Sequence, residues 1–116
     1  MIGRSHRFHG HNSLRFVYTH GKTVRSSLLA IRAVTNPRRK DYRCAVVVSK
    51  KVSKSAVVRN RIRRRLYERI RVHVASIPPA TDMVITVYSD QVATMPIDQL
   101  DTTLVGLIAD TAKTLG

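Results

Sequence analysis

The sequence predicts an α+β fold, a two-layer sandwich in which one mixed sheet of about four strands carries three helices in the order α-β-β(-β)-α-β-α. Two observations carry that prediction. Val58, Ile62, Leu66, Ile70 and Val74 recur at every fourth residue, the apolar stripe of a long amphipathic helix. Short, almost continuous apolar runs at 42–49 and 82–88 flank it, as expected of strands covered on both faces. A strand, helix, strand segment of this kind joins parallel strands through a crossover.

The elements follow in chain order. Residues 1–11 are polar, with Arg4, His6, Arg7, His9 and His11, and read as a flexible arm anchored at most through Phe8. Asn12 or Ser13 can cap a helix of about two turns, whose body of Leu14, Phe16, Val17 and Tyr18 stops at His20-Gly21. Residues 22–35, with Thr23, Val24, Leu28, Leu29, Ile31 and Val34, predict a strand that ends at the turn-forming Asn36-Pro37. A charged connection leads to the run at 42–49, whose Cys44-Ala45-Val46-Val47-Val48 core predicts a central strand. After the polar loop 50–55, Ser55 can cap a helix over 56–76, closed by Pro78-Pro79. Around that helix Arg61, Arg64, Arg65 and Arg71 project opposite the stripe, with Arg59 and Arg63 on its flanks. The run at 82–88 is a further strand. Residues 96–115 form the last helix, opened by Asp98 and carrying Ile97, Leu100, Leu104, Leu107 and Ile108 at helical spacing.

The 116 residues fit one domain, 1–116, since division would leave each part without a core. The single cysteine, Cys44, excludes an intrachain disulfide and suits a buried thiol in a reducing compartment. Neither an apolar signal segment nor a membrane-length apolar run is present, so the expected location is the cytoplasm. A net charge of +14 makes a polyanion the expected partner. The charge is also segregated: residues 1–75 hold 20 of the 21 basic residues against Asp41 and Glu68, whereas 76–116 hold Lys113 against five aspartates. Six aromatics and no Trp argue against a single-strand binder built mainly on aromatic platforms.

No active site converges from the sequence. Asp98 and Asp101 are the only close carboxylates, and a first helical turn explains them through the helix dipole. His6, His9 and His11 have spacing that could hold a metal or supply an acid and a base, but a glycine-containing arm lacks the rigid frame either role needs, and an RNA-contacting arm is the simpler reading. His20 reads as a helix-end residue and His73 as packed. The strongest constellation is Ser49-Lys50-Lys51 followed by Arg59-Asn60-Arg61-Ile62-Arg63-Arg64-Arg65. It joins a loop of ammonium charges, with Lys54, to guanidinium forks suited to phosphates and purine edges. A solvated helix face normally mixes both signs, yet Glu68 is the only acid between Lys50 and Arg71.

At these residues the chain resembles the ribonuclease P protein family, whose signature is a Ser-Lys-Lys loop followed by Arg-Asn-Arg at the start of a long helix. The likeness extends over the helix ending at His20-Gly21, the strands after it, the Pro78-Pro79 break and the strand at Asp82. It implies a ribosomal protein S5 domain 2-like fold with an unusual left-handed βαβ crossover. It also implies that Lys50, Lys51, Lys54, Arg59, Asn60, Arg61, Arg63, Arg64 and Arg65 face a catalytic RNA, and that Leu14, Tyr18 and Arg32 line a cleft for the single-stranded 5′ leader of precursor tRNA. In such a holoenzyme the RNA subunit cleaves and needs Mg²⁺, while the protein is monomeric, binds no metal or cofactor and has no catalytic residue of its own. Departures from the family's habit are Leu14 and Arg32 where aromatics are common, Tyr67 where a basic residue is common, and Arg65 where an aliphatic is usual. The readings that remain beside this one are a generic structured-RNA or ribosome-associated binder and a stand-alone nuclease using the N-terminal histidines; a DNA-binding module is disfavoured because no helix-turn-helix pair precedes the arginine helix.

Overall fold

The computed structural model describes residues 11–38 and 40–115, so the expected arm, with His6 and His9, lies outside the described residues except for its last member, His11, which is the first residue of a helix. The elements are α1 (His11–His20), β1 (Lys22–Arg25), β2 (Leu29–Thr35), β3 (Arg43–Val47), α2 (Ala56–Val72), β4 (Thr81–Val87) and α3 (Ile97–Leu115). They form one mixed sheet in the order β1-β2-β4-β3, antiparallel except for the parallel pair β3 and β4 that α2 connects. The predicted fold class therefore holds.

Register sorts the side chains to two faces. On one, Leu29, Ile31, Cys44, Val46, Met83 and Ile85 pack against Ile62, Leu66 and Ile70 of α2 and Leu100, Leu104, Leu107 and Ile108 of α3. On the other, Ala45 and Val84 meet Val17 of α1, with Leu14, Val34 and Val47 packed around them. The main sandwich thus has its two layers, and α1 adds a short cover behind the sheet.

Several local expectations are corrected. The run at 22–35 is two strands, because the Ser26 hydroxyl accepts from the amides of Leu28 and Leu29 and the Ser26 amide donates to the Leu29 carbonyl at 2.8 Å, which reverses the chain. The strand at Cys44 is an edge strand, not a central one. Its continuous apolar character comes from helices on both faces, and β2 and β4 are the interior strands. α1 begins at His11, so Asn12 and Ser13 lie inside it rather than at its cap. α2 ends at Val72 and gives way to a 3₁₀ turn at Val74–Ser76, which turns Val74 out of the stripe to 45% exposure. Ile97, at the first position of α3, is also outside the core.

The expected Ser55 cap is in place: its backbone is extended and its hydroxyl accepts from the Val58 amide at 3.3 Å. His20 ends α1 and Gly21 follows. The Gly21 amide donates to the Val17 carbonyl at 2.8 Å, and a Cβ at Gly21 would lie 2.4 Å from that oxygen. α2 and α3 are joined by Arg69, whose Nε and Nη2 each donate to Asp101 at 2.7 Å. His73 Nε2 lies 3.2 Å from the same carboxylate without hydrogen-bond alignment.

Both junctions can be probed through stability. Gly21→Ala forces the backbone at the α1–β1 junction apart and should cost roughly 1–3 kcal/mol in urea unfolding. The Arg69 bonds hold the Asp101 carboxyl below its ordinary value of 3.8. That contribution is complete above the ordinary value and is lost as pH falls through the depressed native one. With both side chains about one-fifth exposed, Asp101→Asn should cost about 1 kcal/mol at neutral pH. The variant's stability should also fall less steeply than wild type on acidification.

Candidate RNA interface

The capped start of α2 and the loop before it make one basic surface. Lys50, Lys51 and Lys54 are exposed on the loop, and Asn60, Arg61 and Arg64 are exposed on successive turns of α2. Among the described residues, Lys50, Lys51, Lys54, Arg61 and Arg64 have neither an acidic partner nor an intramolecular hydrogen bond. Arg59 Nη1 donates to the Ser53 carbonyl at 2.8 Å, which holds the loop against the helix, and Arg63 donates to the Asn60 side-chain oxygen. Further along, Arg71 is paired with Glu68, and that contact lowers the Glu68 carboxyl below its ordinary value.

Arg65 sits differently from the expectation that it projects from the arginine face. It is half-buried, and its Nη1 and Nη2 donate to the carbonyls of Val92 at 2.8 Å and Met95 at 2.6 Å, closing the 3₁₀ turn Asp90–Ala93 against α2. Tyr67, on the opposite flank, accepts at its hydroxyl from the Val46 amide at 3.1 Å. A side chain of α2 thereby satisfies an amide on the free edge of β3.

The expected cleft residues lie together on the α1 side of the sheet. Tyr18 is 46% exposed, while Leu14 is half-buried in the apolar cluster under α1. Arg32 is a structural residue in this conformation: Nε donates to the carbonyls of Val17 and Tyr18 at 3.2 and 3.1 Å, Nη2 to Tyr18 at 2.6 Å and Nη1 to Thr23 Oγ1 at 2.9 Å. It caps the last turn of α1, where carbonyls lack helical partners. The β1–β2 register places Arg25 opposite Ala30 and Thr23 opposite Arg32, so exposed Arg25 stands on the same sheet face. Sequence reasoning missed Arg25 because the hairpin was hidden in a run read as one strand. No three His, Cys, Asp or Glu side chains converge as metal ligands among the described residues.

The Ribonuclease P family model matches residues 2–112. The chain belongs to the ribonuclease P protein family. The ribonuclease P protein component of Chloroflexus aurantiacus is 35% identical over 105 residues, covering 90% of this chain and 76% of that one. That of Roseiflexus castenholzii is 36% identical over 97 residues, covering 84% and 78%. The fold matches the RNase P protein of Staphylococcus aureus with a TM-score of 0.80 at 24% identity, over 96% of this chain and 98% of that one. As a family member the chain is the RNA-binding protein subunit of a ribonuclease P holoenzyme, with its role in tRNA 5′ processing. No helix of the described residues is long and apolar enough to cross a membrane.

The bond from the Val46 amide to the Tyr67 hydroxyl is open to a direct test. Tyr67→Phe removes the acceptor and should cost about 1–2 kcal/mol. Faster amide hydrogen exchange at Val46, with the rest of β3 unchanged, is the accompanying signature.

Proposed function

We propose that the protein breaks no bond itself and acts by binding: α2 and its preceding loop hold the catalytic RNA, and the face under α1 holds the 5′ leader of precursor tRNA. The observation that carries this reading is the division of the cations. Lys50, Lys51, Lys54, Arg61 and Arg64 gather on one surface, and among the described residues none of them is paired with an acid. Guanidinium groups stay protonated at any physiological pH, so they neutralise and orient phosphates but cannot serve as general bases. Asn60 and Arg63, bonded to each other, present an amide and a fork able to read base edges. Arg59 and Arg65 contribute by fixing the loop and the neighbouring turn, with their remaining donors available to RNA.

On the leader side, the exposed Tyr18 ring is the stacking platform and Arg25 a phosphate contact, while Arg32 keeps α1 in place. The RNA subunit then supplies the Mg²⁺-bound water, and the protein, as a single-domain monomer in the cytoplasm, lowers the metal requirement by relieving phosphate repulsion.

Cleavage of a 5′-extended precursor tRNA at limiting Mg²⁺, compared for protein alone, a bacterial ribonuclease P RNA alone and the mixture, tests the assignment. Stimulation confined to the mixture is expected; cleavage by protein alone would sink it. Replacing Arg61 and Arg64 together by alanine should leave the melting temperature unchanged. RNA affinity should fall, with the slope of log affinity against log salt reduced by roughly 0.7–0.9 for each phosphate that the variant no longer neutralises.

A further inference from the structure

Between α2 and the start of α3, Arg64, Arg65, Glu68, Arg69 and Ile97 line an open groove of about 400 Å³, at the small end of ligand pockets. Its floor is fixed. The Arg65 guanidinium is tied to the Val92 and Met95 carbonyls and that of Arg69 to Asp101, so both stems are immobilised with their heads already ordered. Ile97 supplies an apolar wall that is 44% exposed although the residues spaced from it along α3 are core. Arg64, one turn beyond Asn60 and Arg61, belongs both to this groove and to the exposed cationic face. The groove therefore continues that face around the flank of α2. Its other rim is the Glu68 carboxylate, an acceptor that already takes Arg71.

A fixed guanidinium and aliphatic wall, a free cation at one rim and a carboxylate at the other suit a flat ring that bears N–H donors and is tethered to a phosphate. Unstacked bases lie on guanidinium planes, carboxylates accept from exocyclic amino groups, and arginine takes the phosphate. We propose that this groove receives one unpaired nucleobase of the RNA partner, stacked between Ile97 and the Arg65 and Arg69 stems with its phosphate at Arg64. The proposal rests on the reading of the exposed α2 face as an RNA surface, and it adds a base-sized groove to that surface.

The test uses the full chain with Ile97→Ser, Ile97→Leu and Arg61→Ala, titrated against a bacterial ribonuclease P RNA over a salt series, with thermal melts alongside. Ile97→Ser should keep the wild-type melting temperature and weaken binding about fivefold. Its salt slope should match wild type, since every cation that meets a phosphate is still present. Ile97→Leu should restore affinity, and Arg61→Ala should lower both affinity and slope. Wild-type affinity for Ile97→Ser beside a weakened Arg61→Ala overturns the groove and leaves the helix-face reading standing. Equal weakening by Ser and Leu also overturns it, because a changed α3 start would then explain the loss. Wild-type affinity and slope for Arg61→Ala overturns the helix-face reading and the groove with it.

Discussion

The sheet depends on a carboxylate that must not be left alone. Asp82 stands near the start of β4, an interior strand, with no solvent exposure. An unpaired charge there would cost several kcal/mol. Arg43 meets it with two donors, Nε at 2.9 Å and Nη2 at 2.8 Å, and Asn36 Nδ2 donates at 2.8 Å from the chain leaving β2. These contacts tie both neighbours of β4 to one residue and pin Arg43 opposite Asp82 in the parallel pair. A slip by one residue would exchange the faces of every side chain in β3. Cys44 and Val46 would leave the α2 side for the α1 side, and the helix with the cations would lose its floor.

With that register fixed, the arginines of α2 divide by where they fall around the helix. Ile62, Leu66 and Ile70 dock on the sheet, so Arg65 and Arg69 arrive beside the α3 segment, Arg59 reaches the loop, Arg63 meets Asn60, and Arg61 and Arg64 are left outward. The inward arginines are ordered by carbonyls and one aspartate. The outward ones stay free to meet phosphate with little internal competition. A rigid scaffold and an unpaired charge surface are therefore produced by one helix, through the offset between a four-residue apolar repeat and an arginine-rich remainder.

Much of this was legible in the chain. The stripe from Val58 to Ile70, the Ser55 cap and the two apolar runs were enough for the fold class, because periodicity reports burial directly. Edge or centre was not legible for β3: a strand covered by helices on both faces reads the same in either place. The hairpin at Ser26 was hidden because its turn contains neither Gly nor Pro and its first arm, Lys22–Arg25, holds a single apolar residue. Among the site residues, Lys50, Lys51, Arg61 and Arg64 fell where their spacing put them, whereas Arg32 and Arg65 are held chiefly by backbone carbonyls 14 to 30 residues away, which no side-chain pattern records.

Backbone groups order these side chains as much as ion pairs do. Arg32, Arg65 and Tyr67 each serve a backbone group: the end of α1, the turn at Asp90–Ala93 and the edge of β3. With 21 basic residues and seven acidic ones, the protein cannot order its arginines chiefly through ion pairs. Carboxylates enough to do so would also erase the charge that attracts RNA. Carbonyl oxygens at helix and turn ends carry partial negative charge, accept from guanidinium and leave the net charge intact. Using them lets an arginine act as a structural element while still contributing to the field around the molecule, so that order and attraction for a polyanion come from the same side chain.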